Sequence, residues 1–197
     1  MKNYDMIISG QPVWFTSDTH FCHEAIIRMN GRPFDSVEAM NQALIDNWNA
    51  RIGKDDVVFH LGDFCFGNAK VWDSILAQLN GLIHLVLGNH DRKYFDRRHQ
   101  YTNLVSVAEQ MSIIVDNRKI ILNHYPFLCY AGTYSPFKTY QFFGHVHTSD
   151  FSYGKDIPRL AYLFPTQYDV GVDNNGYKPI SFNEVDRIIK QRKTETK

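Results

Sequence analysis

The chain has 197 residues, 44% of them hydrophobic, with 21 Lys+Arg against 21 Asp+Glu. That is enough apolar material for a sizeable core and too much for a disordered chain, so a single domain over residues 1–197 is expected. A net charge near zero argues against a general nucleic-acid or membrane-surface binder, and no run approaches the roughly 20 apolar residues of a membrane span.

The opening MKNYDMIISGQP lacks the long apolar stretch of a secretory signal. Cys22, Cys65 and Cys129 are odd in number and show no CxxC spacing. Free thiols in a reducing, cytoplasmic setting are therefore expected. No internal repeat or low-complexity linker divides the chain, and the charged tail KQRKTETK is expected to fray.

In chain order, PVWFTSD (12–18) predicts a buried strand ending in polar residues. Residues 35–53 predict a helix, with Asp35 as N-cap, Glu38 as its partner, Val37, Met40, Leu44 and Trp48 at helical spacing and Gly53 as terminator. DVVFHLGD (56–63) predicts a second buried strand. A helix over 68–81 follows, with Val71, Ile75, Leu76 and Leu79 on one face and Gly81 as its stop, and then a third strand over 82–88. Strand, helix, strand, helix, strand implies crossover connections and a mostly parallel sheet. SIIVDNRKIILNH (112–124) predicts an antiparallel hairpin around Asn117-Arg118. Further strands are expected in 139–147 and 168–173, and a closing helix over 181–192 opens on a Ser181/Glu184 capping box. Altogether this is an α/β chain with a mixed sheet, or two sheets, and helices outside.

In open α/β sheets ligands bind beyond the carboxyl ends of the strands. Collected there are Asp18 and His20, Asp63, the run Asn89-His90-Asp91, His124, and His145 with His147. In extended backbone residues i and i+2 point the same way, so Asp18/His20 and His145/His147 are expected to reach one site as pleated pairs. Mixed Asp, His and Asn donors without thiolate suit Mn, Fe, Co or Zn. Seven candidate ligands exceed what one four-coordinate ion takes, which favours two divalent ions sharing a carboxylate. Two dications offset by Asp18 and Asp63 keep a positive charge that attracts phosphate and favours a metal-bridging hydroxide as nucleophile. His90 is left to meet substrate. Asp91 is expected to orient it as an imidazolium that protonates a leaving alkoxide.

In this order the elements D-x-H, G-D, G-N-H-D, a lone His and G-H-x-H resemble the calcineurin-like metallophosphoesterase superfamily. The resemblance spans residues 18–147 and carries every element of the pattern. It implies a four-layer α/β/β/α sandwich of two mixed sheets flanked by helices. It also implies a dinuclear centre, with Asp18, His20, Asp63 and His147 on one ion, Asn89, His124 and His145 on the other, Asp63 bridging and His90 as acid. HYPF (124–127) and GVDNNGYKPIS (171–181) further resemble a compact bacterial and phage-type subgroup. The family's usual His-Gly around the lone histidine is His124-Tyr125 here, which brings an aromatic ring, a candidate substrate contact, close to the metals.

Any single strand-end histidine is weak evidence; their joint occurrence carries the reading. His60, His84 and His99 fit no ligand position and are expected to be structural or surface residues. His23, Arg28 and Arg32, in HFCHEAIIRMNGRPF, are candidates for holding a substrate phosphate. Cys22 and Cys65, each two residues past a candidate ligand, could tune or oxidatively inhibit the site, but read rather as buried inert thiols. The aromatic-rich stretch 125–143 reads either as a packed loop or as a platform for a ring. The expected activity is hydrolysis of a small or nucleotide-like phosphomonoester or phosphodiester. The rivals are a nuclease using the same metals, not favoured because no basic stripe is present, and a non-catalytic binding module on the same fold.

Overall fold

The computed structural model describes residues 6–132, 139–147 and 157–195. In chain order the elements are β1 (Met6–Ile8), β2 (Val13–Thr16), α1 (Glu24–Met29), α2 (Val37–Asn49), β3 (Val57–His60), α3 (Ala69–Leu76), β4 (Leu82–Val86) and α4 (Asp91–Tyr94). There follow β5 (Leu104–Ala108), β6 (Met111–Val115), β7 (Arg118–Leu122), β8 (Thr139–Phe143), β9 (Gln167–Asp169), β10 (Ile180–Ser181) and α5 (Phe182–Glu195). Short 3-10 turns occupy Ile157–Tyr162 and Val172–Asn174.

Two mixed five-stranded sheets result, in the orders β10-β2-β3-β4-β5 and β1-β6-β7-β8-β9. The crossovers predicted from the first half make β2, β3, β4 and β5 parallel, with β10 antiparallel at the edge. In the second sheet only the β6–β7 pair is antiparallel. Its two-residue turn is Asp116-Asn117, one position earlier than expected. Both residues hold positive φ, as a twisted hairpin turn requires, and Asp and Asn tolerate that region well.

The pleat sorts the strand residues between two cores. Val13, Phe15, Val57 and Phe59 point between the sheets and meet Ile113, Ile120, Tyr140 and Phe142. Phe15 bridges the layers directly, with its ring edge-on to Phe142 at 4.8 Å. Val58, Ile83 and Leu85 point the other way, under Ile26 of α1, Met40, Leu44 and Trp48 of α2, and Trp72 and Ile75 of α3. Helix α2 starts one residue later than the sequence suggested. Ser36, not Asp35, is its N-cap, accepting from the Ala39 N–H at 3.1 Å. It ends at Asn49 rather than at Gly53. Gly81 serves the turn into β4 rather than the helix end, since α3 stops at Leu76. The Ser181/Glu184 box forms as expected, each side chain bonding the other's backbone N–H.

Helices flank the sheets unevenly. Helices α1, α2 and α3 cover the first sheet, whereas Phe182, Val185 and Ile189 of α5 enter the core between the sheets beside β2, β9 and β10. On the outer face of the second sheet, the buried Gln141 and Gln167 side chains bond to the backbone of Tyr125 and Phe127. Among the described residues a loop, not a long helix, thus lies there. Among the described residues no helix is long and apolar enough to cross a membrane. Residues 133–138 of the aromatic stretch and the last two of the tail lie outside the described residues.

Candidate metal centre

The loops after β2, β3, β4, β7, β8 and β9 meet at one end of the sandwich. Backbone bonds zip them together: Asp18 N–H to Gly62 O, His20 N–H to Asp63 O, Gly144 N–H to His124 O, and Val172 N–H to Ser17 O. A parallel bridge between Ser17 and Gly171 ties one sheet to the other.

The i, i+2 pairs do converge, but not by pleating. Asp18, His20, Asp63, His145 and His147 all have φ between +49° and +70°. They lie past the strand ends in left-handed turns, a region in which Asp and His are among the better tolerated residues. Close backbone approach requires glycine beside them. A Cβ on Gly88 would overlap Asp63 Oδ1, and one on Gly144 would overlap Ser17 Oγ and Asp18 Oδ2.

Two trios of donors form, Asp18/His20/His147 and Asp63/His124/His145, each with its ligand atoms within 4.8 Å of one another. Both carboxylates are split in the same way. Asp18 Oδ2 accepts the His145 N–H at 2.9 Å, and its Oδ1 faces His147 Nε2 at 3.6 Å and His20 Nε2 at 4.0 Å. Asp63 Oδ1 accepts the His90 N–H at 2.9 Å. Its Oδ2 lies 3.6 Å from both His20 Nε2 and His124 Nε2. Donors about 2.1 Å from one tetrahedral ion stand about 3.4 Å apart, so these separations fit shared cations.

The donor chemistry fits as well. Asp18 Oδ1 and His20 Nε2 are buried without a hydrogen-bond partner, which is costly unless a cation faces them. His124 Nδ1 bonds the Leu61 carbonyl at 2.8 Å and must donate to it, so neutral Nε2 carries a lone pair. That lone pair points at Asn89 Oδ1, 3.1 Å away. Two acceptors so placed call for a positive charge between them. His147 Nδ1 likewise bonds Asp173 Oδ2 at 2.8 Å, turning Nε2 inward.

Electrostatics agree. Burial, then Asp18 and Asp91, push the Asp63 carboxyl up to about 8 in the metal-free chain. Burial, then His147 and Arg32, hold His20 well below the usual imidazole range, and burial also lowers His124. These imidazoles are neutral and ready to ligate. His147 is the exception: burial lowers it, but the bond to Asp173 and the charge of Asp18 outweigh burial and raise it.

The other predicted site residues fall into different places. Asp91 does not orient His90. Its buried carboxylate accepts from the Asp63, Phe64 and Gly88 N–H groups at 2.8–2.9 Å, clamping the second and third loops together. His90 is not held as an imidazolium either, because partial burial, then His145 and His147, lower its pKa. Arg32 does not face substrate. It is buried, and its guanidinium bonds the Asp18 and Thr19 carbonyls, the Met40 sulfur and both oxygens of Asp173. All five N–H groups are thereby used. His23 stacks on Phe66 at 3.8 Å and bonds His20 Nδ1 through its own Nδ1 at 3.2 Å. Burial lowers it to about 4, so it props His20 as a neutral ring. Arg28 is exposed in the last turn of α1, with no ion pair among the described residues. Tyr125 is where expected, its ring 4.7 Å from that of His145.

His60 donates from Nε2 to Thr19 Oγ1, which donates to Phe64 O, fixing the residue between two ligands. His84 bonds Ser106, and the His99 ring lies against Tyr101. All three cysteines are free thiols. Cys65 is buried as expected, and Cys22 is only half-buried, with a hydrogen bond from the Cys65 thiol lowering it to about 6. Sequence reasoning missed Asp173, the shared partner of His147 and Arg32. Its signal was a carboxylate in a tight Gly- and Asn-rich turn directly beside the buried Val172.

Two predictions follow from this geometry. Asp63 must lose its proton to bind a cation, so Mn(II) affinity should fall as pH drops below about 8, up to about tenfold per unit, with proton release on binding. Titration at pH 6.5, 7.5 and 8.5 checks it; a flat profile contradicts it. Arg32→Met should cost about 3–5 kcal/mol in urea unfolding, because buried Asp173 loses its guanidinium partner and the Asp18 and Thr19 carbonyls lose their donors. A neutral result would return Arg32 to the substrate-contact role.

A family model described as calcineurin-like phosphoesterase matches residues 11–169. An uncharacterised protein of Methanocaldococcus jannaschii, MJ1445, is 30% identical over 191 residues, covering 94% of this chain and 96% of that one. The Gene 66 protein of Mycobacterium phage L5 is 37% identical over 81 residues, 40% of this chain and 39% of that one, in keeping with the phage-type likeness. A crystal structure of an Aquifex aeolicus protein of unknown function, AQ665, superposes with a TM-score of 0.63 at 26% identity, covering 91% of this chain and 100% of that one. The chain belongs to the calcineurin-like phosphoesterase family.

Proposed function

We propose that the protein is a metal-dependent phosphoesterase that holds two divalent ions and hydrolyses a small phosphomonoester or phosphodiester, with His90 serving the leaving group. The observation that carries this reading is Asp63 Oδ2, equidistant at 3.6 Å from a histidine of each trio. Asp18, His20 and His147 would hold one ion, Asn89, His124 and His145 the other, and Asp63 both. When bound, such ions supply Lewis acidity and lower the pKa of coordinated water from about 15.7 to about 7. Mn, Fe, Co and Zn all suit this donor set.

His90 is placed for its part by its backbone, which is tied to Asp63 Oδ1, while its imidazole is half exposed with Nε2 4.0 Å from Asp63 Oδ2. Neutral in the free chain, it gains a proton when a phosphate anion arrives beside it, because a nearby negative charge raises an imidazole pKa. It then gives that proton to the departing oxygen. The substrate itself thus completes the acid.

The basic run after this loop favours a small substrate over a polynucleotide. Glu109 pairs with Arg92 and Arg97, and Asp96 pairs with Arg98, so little of that charge is left for a phosphate backbone.

The test is hydrolysis of bis-p-nitrophenyl phosphate and p-nitrophenyl phosphate by metal-stripped protein reloaded with Mn(II). Metal-dependent turnover lost in Asp63→Asn supports the reading; full activity in Asp63→Asn sinks it. His90→Ala should lower kcat by about 10²–10⁴ on an alkyl ester and much less on a nitrophenyl ester, whose leaving group needs no proton. Equal losses on both would mean that His90 is not the acid.

A further inference from the structure

A cavity of about 430 Å³ opens beside the metal centre, with Tyr125, Phe127, Leu128, Leu160 and Tyr162 among its walls. His145 belongs both to this wall and to the second donor trio, so cavity and centre are continuous. The Tyr125 ring meets the His145 ring at 4.7 Å and the His124 ring at 5.0 Å, standing at the boundary between the two. Among the described residues, no Lys, Arg, Asp or Glu lines the cavity. A second phosphate or a charged side chain would find no partner there.

The cavity mouth is apolar and open to water. Leu128 is 82% exposed, Tyr162 78% and Tyr125 41%. Three large apolar side chains exposed around one concavity that abuts a reactive centre mark a binding surface. Its aromatic walls favour a flat ring, which gains from edge-to-face and stacked contacts. Its size lies toward the small end of small-molecule sites, about 300–1,000 Å³, so it takes one ring system rather than a polymer.

We propose that this cavity receives an uncharged aromatic ring joined to the scissile phosphate, so that the substrate is an aryl or nucleoside phosphoester. The proposal rests on the phosphoesterase reading above. Tyr125 and Tyr162 flank the ring, His145 marks the phosphate end, and Leu128 covers the outer edge.

The test is calorimetric titration of the protein with adenosine, benzyl alcohol and ribose. It is run beside competition of the same compounds against bis-p-nitrophenyl phosphate and p-nitrophenyl phosphate hydrolysis in the Mn(II)-loaded protein. Ring compounds should bind and compete, and ribose should do neither. Adenosine alone would identify a nucleoside ester, and both rings an aryl site without base selection. Leu128→Asp and Tyr162→Asp, at side chains that bear little of the fold, should each weaken ring binding at least fivefold. Continued ester turnover with no ring binding, or ring binding untouched by both variants, overturns the cavity assignment and leaves the phosphoesterase reading in place. Ring binding with no turnover of either ester overturns the phosphoesterase reading, and with it the ring's identity as part of a phosphoester.

Discussion

Five candidate ligands sit on backbone held in the left-handed region, and the centre depends on that being maintained. Each such residue costs on the order of 1–2 kcal/mol against a relaxed chain. Such strain persists only where the surroundings over-determine it. Two buried charged groups do that here. The Asp91 carboxylate gathers three N–H groups from the second and third loops. The Arg32 guanidinium gathers the Asp18 and Thr19 carbonyls and Asp173, whose Oδ2 also bonds His147 Nδ1. One clamp therefore governs Asp63, and the other governs both ends of the first trio.

This arrangement explains why so many charged and polar groups tolerate burial. Each of Asp18 and Asp63 spends one oxygen on a backbone N–H and turns the other inward. Each of His124 and His147 spends Nδ1 on a fixed acceptor and turns Nε2 inward. The inward set consists almost wholly of acceptors, which is unfavourable by itself and favourable around cations. The site is thus assembled at the expense of local stability, a cost that ions held there would offset.

The candidate ligand positions were legible because metal chemistry restricts residue type and strand ends restrict place. Asp18, His20, Asp63, Asn89, His124, His145 and His147 could be gathered from their places at predicted strand ends, and the structure brings them together. The reason offered for the i, i+2 pairs was wrong, however, because strand alternation ends before Asp18 and before His145. Asp91 and Arg32 were misread for one shared reason. Sequence shows that a charged group lies near a site, but not whether it points into the site or into the backbone behind it. Asp173 went unseen because its partners, Arg32 and His147, lie 141 and 26 residues away. The βαβ rhythm and the hairpin left one mixed sheet or two sheets open, and the resemblance to the family implied the two-sheet frame. The thin outer cover of the second sheet did not, because glutamines bonded to loop backbone leave no periodic signature.

The central claim is that Asp63 joins two ions in one centre. Electron paramagnetic resonance of the Mn(II)-titrated protein measures this most directly. The account predicts two Mn(II) per chain with an exchange-coupled signal, and one uncoupled Mn(II) in Asp63→Asn. A single ion per chain, or two ions with no coupling in the unmodified protein, would contradict it.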